Sequence, residues 1–381
     1  MNRGKYTALQ ILYWCSAAAL FCFAVSFLRD RGFSNGEAGL VTALGNLLGL
    51  SLAIVLGAEL DRGRFRLLPA TLLTLGLLML SAGLLILHSG RDLFTGACLV
   101  LAFAANLALN PLYIKLSTLL QRLDAGFRFG LPRGAGSLAF ACMAWAMGLL
   151  VQGLSVSTVP PAILVTAALQ LPVLLSLHGA FALPGAEEAE PTRGASLGDF
   201  LRASPRFALL LAGIALIFAA NNTVNNFLIN VVQNLKGDYA DLGRLTFFSG
   251  VIEFPAMLIY SRLDGKRRER CLGLSLLFFP VKLLAISLAG SVPLLFAAYV
   301  FHALSFGLYT PAVVDHVERT VRPEDSAKGQ TLTAAVASVG TTVATLAGGI
   351  LLDRLPVRAV LLILTAAAAL GAALGLRAVR R

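Results

Sequence analysis

The sequence predicts an all-α polytopic membrane protein with twelve transmembrane helices. Of its 381 residues 57% are hydrophobic and only 13% are charged, and long apolar segments recur at short intervals. A soluble domain carries about a quarter charged residues, whereas one helical crossing needs about twenty predominantly apolar residues. Twelve crossings use most of the chain, so no room remains for a sizeable soluble domain.

Each predicted span is an apolar segment of sufficient length. Segment 67–88, for example, contains no Asp, Glu, Lys or Arg. The first segment is too long for the core of a signal peptide, so we expect it to be retained as a helix. The predicted spans are 7–28, 37–58, 67–88, 93–114, 134–154, 160–181, 207–232, 242–261, 271–289, 293–314, 330–350 and 357–376.

The basic residues between these spans predict the orientation. If the N-terminus lies inside, 23 of the 31 Lys and Arg residues lie at inner helix ends and loops, 7 lie outside, and Lys282 lies within a span. Inner loops carry this excess of Lys and Arg, so the sequence predicts a protein of the cytoplasmic membrane with both termini in the cytoplasm. The net charge of +11 therefore reflects topology, and we expect no nucleic-acid partner.

One long polar stretch, 184–206, separates the sixth and seventh spans. It predicts an N-terminal six-helix bundle at 1–182, a cytoplasmic linker at 183–206 and a C-terminal six-helix bundle at 207–381. We expect the protein to be a monomer.

The loop after the second span carries a sequence signature. It reads Gly57-Ala-Glu-Leu-Asp61-Arg62-Gly63-Arg64. With the division into two six-helix halves, this loop resembles the major facilitator superfamily, although its second glycine arrives one position early. The resemblance implies a solute site near mid-membrane between the halves and transport by alternating access.

The same resemblance implies a group of gating residues. Asp61 can cap a helix and pair with an arginine across the two halves, which would hold the cytoplasmic side shut. We assign Gly57, Asp61, Arg62 and Arg133 to this group. The alternative is a solvated turn whose arginines serve only topology.

Five further stretches are similar to the branch that includes lactose permease-like and nucleoside–proton symporters. None of these motifs identifies a substrate. The stretches are 129–140, 253–257, 301–311, 329–332 and 348–353.

Three ionisable residues fall at membrane depth, where they are costly unless paired or hydrated. Glu253, Lys282 and His302 are therefore the predicted proton-coupling residues, with Glu253 as the carrier that loads and releases protons. The resemblance implies that Lys282 and His302 are counterparts of a cation and a histidine that serve proton coupling and sugar binding in lactose permease-like proteins. Those permeases carry a glutamate one turn after the histidine, where this chain has Ser305. The alternatives are a structural hydrogen bond for Glu253, a structural ion pair for Lys282 and a packing role for His302.

Four asparagines in the seventh span share one helical face about 140° wide. These are Asn221, Asn222, Asn225 and Asn226. Amides are costly against lipid, so they either line a cavity and bind solute hydroxyl groups or form hydrogen bonds between helices; we favour the cavity. In the N-terminal half the candidate solute-binding residues are Tyr13, Trp14, Asn46, Asn106, Asn110 and Tyr113, of which Tyr13 and Trp14 could equally be packing residues.

The sequence contains no nucleotide-binding glycine loop and no hydrolase elbow. Its five cysteines form no Cys-x-x-Cys pair, so we predict no metal site, no cofactor and no enzymatic activity. The predicted function is proton-coupled symport of a small polar solute, a sugar or a nucleoside. The expected partners are this solute, protons and the lipid bilayer. The first alternative is proton-driven efflux of drug-like or amphipathic compounds. The second is a polytopic receptor, scaffold or assembly factor that moves nothing.

Overall fold

The fold follows from twelve long apolar helices, as predicted. The structure, a computed structural model, describes residues 2–124, 126–182, 202, 204–322 and 325–379. Within these residues twelve helices are long and apolar enough to cross a membrane, which confirms the predicted fold class. They are α1 Asn2–Asp30, α2 Asn35–Leu60, α3 Leu67–Leu87, α4 Leu93–Leu123, α5 Gly130–Gly153, α6 Val156–Leu175, α7 Pro205–Asn226, α8 Tyr239–Ser261, α9 Gly265–Leu288, α10 Val292–Thr320, α11 Lys328–Arg354 and α12 Val357–Val379.

The chain divides into two compact units. Unit 1, Met1–Pro191, holds α1 to α6, and unit 2, Thr192–Arg381, holds α7 to α12. Most of the predicted linker lies outside the described residues, so its boundaries stay a prediction.

Several helices extend beyond the predicted spans. Helix α1 begins five residues earlier and α4 ends nine residues later than predicted, whereas α6 lies several residues closer to the N-terminus. The reason is that hydrophobicity marks the part of a helix that lies in lipid. Backbone hydrogen bonding continues a helix through polar residues beyond that part.

Side-chain caps explain where several helices begin. Ser34 and Glu37 form a capping box at α2, and Asp238 and Asp241 form another at α8. Asp92 caps α4 by accepting a hydrogen bond from the Thr95 amide at 2.8 Å. This bond and a contact with His88 lower the pKa of Asp92 to about 2. The caps satisfy amides that the first turn leaves without helical partners, so short loops suffice between spans.

Glycines allow close helix contacts in both units. In unit 1, Gly45 and Gly49 of α2 lie against Phe103 and Leu107 of α4, where added Cβ atoms would come within 2.5 and 2.8 Å of the two side chains. In unit 2, a Cβ atom on Gly213 of α7 would lie 2.6 Å from a backbone oxygen of α12. Small residues let transmembrane helices pack backbone to backbone, which places α7 deep in unit 2.

We expect Gly213→Ala to destabilise unit 2 by about 1–3 kcal/mol, because the new methyl group overpacks a backbone contact. The measurement is thermal unfolding of the purified protein in nanodiscs. Gly76→Ala in α3 is the matched control, since its Cβ atom meets nothing within 4 Å. Equal unfolding temperatures for the two variants would contradict this packing.

Candidate functional site

A buried chain of hydrogen bonds joins four helices of unit 2. Glu253 of α8 accepts a hydrogen bond from His302 Nε2 of α10, with 2.8 Å between the ring nitrogen and Oε1. The other ring nitrogen, Nδ1, lies 3.2 Å from Lys282 Nζ of α9. Lys282 Nζ also donates to Asn221 Oδ1 of α7 at 2.5 Å. The structure thus brings the three predicted proton-coupling residues into direct contact, and it adds Asn221 to them.

The chemistry of these groups defines the direction of each bond. A lysine ammonium group only donates, so Nδ1 of His302 accepts and Nε2 carries the hydrogen atom. That hydrogen points to the carboxylate of Glu253. The imidazole therefore connects a cation to an anion through its two ring nitrogens, which is the arrangement that lets histidine pass a proton.

Exposure differs sharply along this chain. Lys282 is 1% exposed, and the side chain of His302 is 6% exposed, whereas that of Glu253 is 23% exposed. A buried ammonium group is tolerated only when partners compensate its desolvation, and Asn221, His302 and Glu253 do so here. Among the three ionisable groups, Glu253 has the most exposed side chain.

The backbone of α10 is irregular at this site. Residues Ala303–Gly307, directly after His302, form a π-helical turn. Pro311, four residues after Gly307, lacks the amide that would bond the Gly307 carbonyl. A Cβ atom on Gly307 would lie 3.0 Å from the Ala256 side chain and 3.3 Å from the Glu253 Cα atom, so α10 packs closely on α8 here. Such π turns are frequent at functional sites.

Aromatic rings fix the imidazole, and Ser305 turns back to its own helix. The ring of His302 stacks on Phe306 with 6° between the planes, and it also stacks on Tyr299. Ser305 donates to the carbonyl of Phe301 at 2.9 Å. It therefore adds no proton-binding group where lactose permease-like proteins carry a carboxylate.

The four asparagines of α7 do not share one environment. Asn222 and Asn226 donate to Thr341 and Thr345 of α11, both at 2.8 Å. Asn221 donates to Asn222 Oδ1 at 3.1 Å. Asn222 and Asn226 therefore form hydrogen bonds between helices, as the alternative interpretation predicts, and Asn221 does so with Lys282. Asn225 is exposed. Solute binding by any of the four stays a prediction.

In unit 1 the predicted solute-binding residues lie at different depths. Tyr13, Asn106 and Tyr113 are fully or almost fully buried. Tyr13 donates to the Asn106 carbonyl at 3.2 Å, and the Asn106 amide donates to Ser16 at 3.2 Å. Their polar groups connect α1 with α4. Trp14, Asn46 and Asn110 are half-buried, so they remain more accessible than the other three.

Two glutamines that were not predicted from the sequence also carry polar groups inside unit 1. Gln170 of α6 accepts a hydrogen bond from Tyr113 at 2.8 Å, and Gln10 of α1 accepts one from the Trp14 indole at 3.1 Å. Both are buried. The signal that selected the asparagines, an amide inside an apolar span, also applies to glutamine and would have found them.

Arg133, predicted as a gating residue, lies against a predicted solute-binding residue. Its guanidinium carbon lies 4.1 Å from the centre of the Trp14 ring, and it donates to Ser137 at 2.6 Å. Phe140 meets the same indole edge to face. The indole rests on Gly136, where no Cβ atom would fit. A half-buried cation and two aromatic rings therefore meet at the start of α5.

The other predicted gating residues lie in the last turn of α2 and directly after it. Arg62 and Arg64 pair with Glu59 at 2.6 and 3.3 Å. Gly63 has a φ of 69°, a left-handed conformation that favours glycine and explains the residue at this position. Lys115 of α4 donates to the Gly57 carbonyl at 3.4 Å. The side chain of Asp61 lies outside the described part of the structure, and the gating role of this group stays a prediction.

The comparisons with known proteins agree with this architecture. The chain belongs to the MFS_1 like family, which matches it over residues 5–362. It is therefore a multi-pass membrane transporter of the major facilitator superfamily, as the loop signature indicated, and relatives of this kind are permeases rather than enzymes.

Individual relatives cover nearly the whole chain. A maltose permease of Geobacillus stearothermophilus is 26% identical over 369 residues, which are 95% of this chain and 90% of that protein. The solved nucleoside transporter NupG superimposes with a TM-score of 0.82 at 14% identity and covers 100% of this chain and 99% of its own. A solved POT family transporter in complex with a conjugated peptide has a TM-score of 0.76 at 12% identity and covers 97% of this chain and 94% of its own. At such identities the solved structures show the fold alone.

We expect Asn221→Ala to lower the free energy of unfolding by about 1–3 kcal/mol, because it removes a buried acceptor from Lys282. Thermal unfolding in nanodiscs measures the loss. Asn225→Ala is the matched control, since it removes an exposed amide from the same helix. The role of Asn221 would be refuted if both variants unfolded at the same temperature.

Proposed function

We propose that the chain is a proton-coupled symporter that imports a small polar solute, a sugar or a nucleoside, and that Glu253 carries the proton. The observation that carries this proposal is the continuous contact from Glu253 through His302 to Lys282. A transporter without its own chemical energy source must draw on an ion gradient for uphill transport. A carboxylate that is partly exposed and hydrogen-bonded to a buried imidazole is suited to bind and release protons.

Protonation of Glu253 changes the charge balance of the chain. With Glu253 ionised and Lys282 protonated, the three groups are neutral in sum. A proton on the carboxylate leaves Lys282 as an uncompensated cation in a medium where unpaired charges are costly. The packing of α8, α9 and α10 that suits one state therefore does not suit the other. In this way proton binding shifts the conformational equilibrium of the transporter.

We assign solute recognition in unit 1 to Trp14 and Arg133, with Ser137 and Phe140 beside them. The two aromatic rings offer apolar faces, and the guanidinium offers several donors in a fixed plane. Sugars and nucleosides present both kinds of surface. The maltose permease and nucleoside transporter among the relatives support these two solute classes. We further propose a monomer in the cytoplasmic membrane with both termini inside, on the strength of the basic residues.

Glu253→Gln is expected to abolish accumulation of solute against its gradient and to retain exchange of solute across the membrane, because the amide cannot bind the coupled proton. The measurement is uptake of radiolabelled sugars and nucleosides into proteoliposomes with an imposed pH gradient. Glu318→Gln, which alters an exposed carboxylate of α10, is the matched control. Uphill uptake in Glu253→Gln would remove Glu253 from the proton role, and wild-type uptake independent of the pH gradient would refute proton coupling altogether.

Arg133→Gln is expected to raise the KM for the transported solute about tenfold, which corresponds to about 1.4 kcal/mol of lost binding. The variant removes the planar charge above Trp14 and leaves the proton-coupling residues intact. Arg128→Gln, which neutralises a nearby exposed arginine, is the control. A reduced maximal rate with an unchanged KM would instead support the gating role predicted from the sequence.

A further inference from the structure

A second group of charges lies at the junction of α8 and α9, away from the proton-coupling residues. Arg262 follows α8, and Lys266, Arg267, Arg268 and Arg270 lie in the first two turns of α9. The apolar part of α9 begins at Cys271, so these residues lie where the helix leaves the hydrocarbon region.

The acidic residues at this junction are engaged by other basic residues. Asp264 lies 3.6 Å from Arg267, and Glu269 lies 3.2 Å from Arg319. Arg268 turns inward and donates to the carbonyls of Leu263 and Ser261 at 3.0 and 2.7 Å.

Asp315 of α10 accepts a hydrogen bond from Tyr260 at 2.6 Å and lies 3.9 Å from both Arg268 and Arg319. Among the described residues, Arg262, Lys266 and Arg270 therefore have no acidic partner. All three are exposed.

Lys266 and Arg270 are one helical turn apart on the same face of α9. Side chains at this spacing have Cβ atoms about 5–6 Å apart, and two like charges there repel each other. An anion between them would remove this repulsion. The helix start itself provides no anion site, because the Asp264 side chain already accepts from the Arg267 amide at 2.8 Å.

The same face continues as exposed leucines along α9. Leu274, Leu277, Leu284 and Leu288 are all exposed and fall within about 80° of Lys266 around the helix axis. Half of a hydrocarbon core is about 15 Å thick, which equals about ten residues of helix. An acyl chain that starts at Arg270 therefore runs past Leu274 and Leu277.

We propose that this face of α9 binds an anionic phospholipid. The headgroup phosphate lies between Lys266 and Arg270, Arg262 adds a third positive charge, and one acyl chain lies along Leu274 and Leu277. At the loop after α2, by contrast, the exposed Arg62 and Arg64 share the carboxylate of Glu59. Juxtamembrane clusters of unneutralised Lys and Arg attract anionic lipids.

The test is native mass spectrometry of the whole protein released from mixed micelles that contain phosphatidylglycerol and phosphatidylcholine with identical acyl chains. We expect the wild type to retain one phosphatidylglycerol with at least about tenfold preference over phosphatidylcholine. The double variant Lys266→Gln/Arg270→Gln should lose this preference, and the charge-conserving exchange Lys266→Arg/Arg270→Lys should keep it. The control Arg122→Gln/Arg128→Gln removes the same charge from exposed positions of unit 1 and should also keep it.

Three outcomes would overturn the proposal. They are an unchanged preference in the α9 double variant, an equal loss in the unit 1 control, and full competition by glycerol phosphate, which lacks acyl chains. A measurement on the wild type does not depend on folding of the variants: a photoactivatable phosphatidylglycerol should label peptides from residues 265–288 more than those from 67–87. Equal labelling of the two helices would also refute the site.

Discussion

The cost of an unpaired polar group in hydrocarbon governs this structure. Water cannot satisfy such a group inside the bilayer, so a buried amide, hydroxyl or charge is stabilised by a partner on its own helix or on a neighbouring one. Lys282 is the most demanding example, because it is the one cation among the fully buried large side chains of the described residues. Its three compensating groups come from α7, α8 and α10, and they draw these helices around α9.

As a consequence, the hydrogen bonds of the predicted proton-coupling residues also connect the helices of unit 2. From Glu253 the hydrogen bonds pass through His302, Lys282 and Asn221 to Asn222, and from there to Thr341 of α11. A change in protonation at one end therefore alters the electrostatic balance of contacts between five helices. The π turn after His302 is a local irregularity in α10 at the place where that helix touches α8. Such a turn offers a point where the helix can adjust without breaking the rest of its backbone bonding.

The two units satisfy the same constraint in different ways. The buried network of unit 1 consists of uncharged groups, among them Gln10, Asn106 and Gln170, and its cation Arg133 lies at the start of a helix, over an indole ring. The ionisable network lies within unit 2. This division supports the proposal that protons act in unit 2 while unit 1 contributes rings and a guanidinium to solute recognition.

The sequence by itself determined the class of the protein. Length and hydrophobicity of the spans predict twelve helices because the bilayer requires about twenty apolar residues per crossing, and the Gly57–Arg64 loop indicated the superfamily. It also singled out Glu253, Lys282 and His302, since ionisable residues stand out against an apolar background. Only the tertiary structure decided how these groups connect. The order Glu253, His302, Lys282, Asn221 depends on contacts between helices that are distant in the chain, and helical periodicity describes one helix at a time. For the same reason the sequence grouped the four asparagines on one face, while the structure separates their partners. The neighbouring helix, not the residue type, determines whether an amide of α7 meets a lysine or a threonine.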